Sequence, residues 1–141
     1  MALRWQRPTL DTRFHIDTAW WKEQGRDIRV YLRELLCDDC GRALGSLASD
    51  AMIDSVDPES GEVRQVDALW DSLLTCCSKK PGYFDENMPI VDGIFRVFVS
   101  NGNKPLTIRE LHAYIGRRPP EMLLRTLTAG EVYLGLRPYR E

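Results

Sequence analysis

The chain has 141 residues, of which 43% are apolar and 28% charged, and its net charge is −2. That length suits one compact domain or two very small ones, and the apolar content excludes a chain disordered over most of its length. No apolar run approaches the ~20 residues that a membrane span requires, and the opening MALRWQRPTLDTRF lacks the apolar centre of a secretory signal. The expectation is a cytoplasmic protein with no membrane partner. The near-neutral charge argues against strong non-specific binding to nucleic acid. It is unevenly spread: residues 1–35 sum to +2, residues 36–100 to −7 and residues 101–141 to +3.

The first thirteen residues form a polar arm that docks through Trp5 and Leu10. Asp17 or Thr18 caps a helix from Ala19 to about Cys37, bent at Gly25, with at least one ring of Trp20-Trp21 in the core. Gly41–Ser49 is small-residue loop or short helix. Two β-prone runs, Met52–Val56 and Glu62–Val66, flank Asp57-Pro58-Glu59-Ser60-Gly61, which is turn chemistry for a hairpin. Asp67 caps a further helix carrying Ala68, Leu69, Leu73 and Cys76, with Trp70 on its flank, and Ser78–Pro89 is loop. There is no internal repeat.

From Ile90 the pattern sharpens. Val91, Ile94, Phe95 and Phe98 follow the i, i+3, i+4, i+7 spacing of one buried helical face, with Pro89 in the first turn and Asn101-Gly102-Asn103 as the stop. Thr107 and Glu110 have the spacing of a capping box, and Ile108, Leu111 and Ile115 face inward up to Gly116. Arg117-Arg118-Pro119-Pro120 is a turn, after which Leu123, Leu124 and Leu127 stripe another helix. Val132, Leu134 and Leu136 then alternate with polar or small residues as in a strand that Pro138 ends, and that strand can join the hairpin in one sheet.

The fold class expected is α+β, with a helix-and-hairpin cap over residues 1–86 and a C-terminal unit over residues 87–141. In PLTIRELHAYIG, RRPPEMLLRTL and EVYLGLRP the C-terminal unit resembles the winged branch of the helix-turn-helix superfamily. That resemblance implies DNA binding, with the helix from Pro120 to Leu127 reading the major groove and the wing touching the backbone. Arg117, Arg118 and Arg125 are then the nucleic-acid contacts, with Arg137 and Arg140 at the wing. The other reading is ordinary solubilising charge on a protein-interaction or scaffold module.

Four cysteines stand apart from this pattern. Cys37 and Cys40 have the C-x2-C spacing that places two thiolates on one tetrahedral zinc. Cys76 supplies a third ligand, with His15 or His112 available as a fourth, because the adjacency of Cys76 and Cys77 makes both on one metal awkward. The alternative is a core Cys76 beside inert thiols. Without a secretion signal a disulfide is not expected. Neither histidine lies near a nucleophile in sequence, and no phosphate-binding glycine loop is present, so no catalytic activity is expected.

Overall fold

The computed structural model describes residues 7–45 and 51–140. In chain order these form β1 (Arg13–Ile16), α1 (Thr18–Glu23), α2 (Ile28–Glu34), α3 (Asp38–Leu44), β2 (Met52–Val56), β3 (Val63–Asp67) and α4 (Ala68–Thr75). A 3-10 turn (Cys77–Lys79) follows, then α5 (Ile90–Ser100), β4 (Leu106–Thr107), α6 (Ile108–Tyr114), α7 (Pro120–Thr128) and β5 (Leu136–Pro138). The fold is α+β. No helix among the described residues is long and apolar enough to cross a membrane.

Residues just ahead of the first helix make the strand on which the fold closes. β1 is the middle strand of an antiparallel sheet, between β4 and β5, with Phe14 opposite Leu106 on one side and Ile16 opposite Leu136 on the other. Phe14 and Ile16 point into the core, at 0% and 1% exposure. Asn103, at φ +60°, extends the ladder with its side chain. Its amide donates to the Ile16 carbonyl at 2.9 Å, and its oxygen accepts from the Ile16 N–H at 2.8 Å. Asparagine tolerates this left-handed backbone better than most residues. The two halves expected from sequence therefore share one sheet and one core.

The strand expected over Val132–Leu136 does not form there. Leu134 and Gly135 take φ +55° and +77°, so the chain reverses and the strand begins only at Leu136. The reversal is held from outside: the Trp21 indole donates to the Leu134 carbonyl at 3.0 Å, and the Asp17 N–H donates to the Gly135 carbonyl at 2.7 Å. Pro138 is the last residue of β5 and ends it, as its missing N–H permits on an edge strand. β5 pairs with β1 and not with the hairpin, so β2 and β3 form a separate two-stranded sheet. The three helices of the last third and the strand after them come in the expected order, but a short strand, β4, not expected from sequence, precedes α6, and the strand between β4 and β5 comes from the other end of the chain.

The single N-terminal helix expected is two. Gly25 at φ +65° ends α1, and Asp27 restarts the chain as the cap of α2, accepting from the Arg29 N–H. The core then gathers around α5, where Ile94, Phe95, Val97, Phe98 and Val99 are fully buried, on more than the single face expected. Both Trp20 and Trp21 are buried, with Trp21 against Tyr31 and Phe95. α6 carries the complete Thr107–Glu110 capping box, and α7 buries Leu123 and Leu127. Trp5 lies outside the described residues, and Leu10 packs on the core.

Candidate metal centre

Two short segments on different layers bring four thiols to one point. Cys37 is the N-cap of α3, with extended backbone at φ −71° and ψ 163°. Its thiol folds back over the first helical turn, where the Cys40 N–H donates to it. Cys40 lies one turn on and faces the same side. The other pair comes from the end of α4. A continuous helix would throw adjacent side chains about 100° apart. Here α4 stops at Thr75, Cys76 leaves helical geometry at φ −122° and ψ −65°, and Cys77 starts the 3-10 turn. That break lets both thiols turn towards α3.

The Sγ atoms of Cys37, Cys40, Cys76 and Cys77 all lie within 4.8 Å of one another. Cys37 Sγ is 3.9 Å from Cys76 Sγ and 3.3 Å from Cys77 Sγ, and all four cysteines are free thiols. A metal held by four thiolates at ~2.3 Å sets its sulfur atoms about 3.8 Å apart. The cluster has that scale. A two-iron cluster would need its two thiol pairs spread further, because each pair sits on a different iron.

Electrostatics divides the thiols into unlike members. The Cys40 N–H, and then the Cys77 thiol, pull the Cys37 pKa down to about 7. Burial pushes Cys40 and Cys77 above the ordinary thiol value, and hydrogen bonding to neighbouring thiols adds to the rise at Cys40. Four thiols this close cannot all ionise without a counter-charge. A bound dication would supply it and displace the protons.

The thiol that joins Cys37, Cys40 and Cys76 is Cys77, the most buried of the four, rather than a histidine. The histidines lie elsewhere. His15, on β1, packs edge-on against Tyr139, and burial lowers its pKa against the opposing charge of Asp17. His112 is half-buried on α6. The signal for Cys77 was present in the sequence: the apolar helical pattern of α4 ends at the Cys-Cys pair, and a helix end frees neighbours from their fixed angle.

The arginines singled out from sequence have unequal positions. Arg118 and Arg125 are exposed, at the α6–α7 turn and on α7. Arg117 is also exposed and donates to the Met88 carbonyl at 3.0 Å. Arg137 is held by two carboxylates, Asp17 at 3.2 Å and Glu23 at 3.1 Å. Its guanidinium fastens β5 to α1 rather than standing free at a wing. Comparisons with family models, with curated proteins and with solved structures found no match to this chain.

Proposed function

We propose that Cys37, Cys40, Cys76 and Cys77 bind one zinc ion, and that the domain stapled by it is a non-catalytic binding module. The observation that carries this reading is the convergence of four free thiols within 4.8 Å from two separate segments. Soft thiolate donors in a compact tetrahedral set favour zinc. Four protein ligands leave no open position for water or substrate, so the role is structural. The test is a titration of the reduced, metal-free chain with cobalt(II). One equivalent should produce the intense sulfur-to-cobalt absorption of a tetrahedral four-thiolate site, and zinc should displace it. A weak octahedral cobalt spectrum, or no saturation at one equivalent, overturns the reading. Visible colour from iron in the purified protein would replace zinc with iron.

The partner proposed for the module is DNA, bound through the winged helix-turn-helix-like arrangement of α6 and α7. What supports it is the shared exposure of Arg117, Arg118 and Arg125 along one turn and the helix it leads into. Glu121 on the same helix and the net charge of −2 limit the non-specific part of that affinity. Binding should weaken steeply with salt, and Arg125→Ala should lose roughly 1–3 kcal/mol. A flat titration at low salt would replace DNA with a protein partner, bound through a surface such as the exposed Val56 and Val63 pair of the hairpin.

A further inference from the structure

We propose that Lys80 is the charge-compensating residue of the four-thiol centre, anchored by Asp39, and that it governs how long the centre holds its metal. The inference rests on the zinc reading above and concerns residues outside the ligand set.

Lys80 directly follows the 3-10 turn that presents Cys77, and its N–H donates to the Cys77 carbonyl at 3.1 Å. Its side chain then crosses to the other thiol pair. Nζ lies 3.4 Å from Oδ2 of Asp39, which stands in the chain between Cys37 and Cys40. Asp39 is itself held by Arg42 Nη2 at 3.0 Å. The ammonium thus links the same two segments that the thiols do.

That placement has an electrostatic consequence. One dication with four thiolates carries a net charge of −2, and this excess opposes full deprotonation of the ligands. An ammonium held on Asp39, between two of the ligands in the chain, offsets part of it. The ion pair with Asp39 and the backbone bond to Cys77 set this ammonium beside both thiol pairs, and hydrogen bonding to Asp39, then the charges of Cys76, Asp39 and Cys37, raise its pKa. Lys79, next to it, is a cation of the same charge with no such link among the interactions of the described residues. Outer-shell partners of metal ligands are commonly worth 10–100-fold in metal affinity. The Lys80 side chain is 43% exposed, so solvent screening places its effect near the lower end.

The experiment loads the full reduced chain with one equivalent of zinc and mixes it with excess chromophoric chelator. Lys80→Gln should release zinc about tenfold faster than the parent chain. Lys80→Arg should release it at nearly the parental rate, and so should Lys79→Gln, which removes the same formal charge one residue away. High salt should accelerate release from the parent chain and narrow its gap from Lys80→Gln. Equal rates for Lys80→Gln and the parent chain overturn the inference, as does equal acceleration by Lys79→Gln. The parent chain's salt dependence needs no variant, and its absence counts against the inference even where Lys80→Gln folds poorly. A parent chain that takes up no zinc defeats the metal reading and this inference together. One that binds zinc while Lys80→Gln behaves identically defeats this inference alone.

Discussion

Removing the metal from the proposed centre should loosen one layer of the molecule before the rest. α3 has seven residues, well under the ~12–15 at which an isolated helix becomes marginal in water. Its one buried residue is Leu44, worth about 2 kcal/mol. Ordering seven residues costs roughly 1–2 kcal/mol each in backbone entropy. Contacts of that size, with the exposed Lys80–Asp39 ion pair, do not hold α3 down, and the thiols of Cys37 and Cys40 are its main attachment. Zinc at a thousandfold excess over its Kd stabilises the folded state by about 4 kcal/mol. For a domain of this size that corresponds to a Tm rise of roughly 8–16 °C. The assay is thermal unfolding of the reduced chain with zinc and with a strong chelator, paired with amide hydrogen exchange. Chelation should lower the Tm by that amount and accelerate exchange at residues 38–44 and 77–79, while residues 94–99 of α5 stay protected. A Tm indifferent to both additions would refute the reasoning. So would a loss of protection spread evenly over α3 and α5.

Three further outcomes are expected. Cys77→Ser should weaken cobalt(II) binding at least tenfold and abolish the four-thiolate spectrum, although Cys77 was absent from the ligand set read from the sequence; unchanged stoichiometry and spectrum would exclude it as a ligand. Gly135→Ala should destabilise the fold by more than about 2 kcal/mol in a denaturant titration, because φ is +77° and the new Cβ would sit 2.8 Å from Trp21 Nε1 and 2.9 Å from the Asp17 carbonyl oxygen. Asp67→Asn tests linkage. Burial raises the Asp67 pKa, but the Arg29 guanidinium and the N–H groups of Trp70 and Leu69 outweigh it, and the folded value lies below the ordinary one. The charge therefore stabilises at pH values above the unfolded value of about 4, and that stability is lost as pH falls through the folded value. The variant should be about 1–2 kcal/mol less stable at neutral pH, with the difference closing in acid. A difference independent of pH would remove the ion pair from the account.

Much of the helical content was legible because it depends on local chemistry. Thr107 and Glu110 sit three residues apart and form the reciprocal cap that this spacing implies. Asp67 caps α4, and Asp57 and Gly61 turn the hairpin between β2 and β3, as their residue types suggest. Where the sequence was misread, a distant group decided. The alternation from Val132 to Leu136 satisfies a two-residue period, yet the Trp21 indole and the Asp17 N–H capture its carbonyls and bend it into a turn. β1 was not anticipated because four residues with polar flanks show little periodicity, and its partners lie about ninety or more positions away.

The cysteines divide in the same way. The sequence alone determined that Cys37 and Cys40 have the C-x2-C spacing that lets two thiolates meet one metal. It also determined the secondary-structure type around α5, α6 and α7, since capping and apolar spacing act over a few bonds. Only the tertiary structure decided that Cys76 and Cys77 both face that pair, that Arg137 binds Asp17 and Glu23 rather than standing free, and that β1 lies between β4 and β5. Each depends on which surfaces meet when the core closes around α5. That closure is set by burial and shape over the whole chain, which no local window of sequence contains.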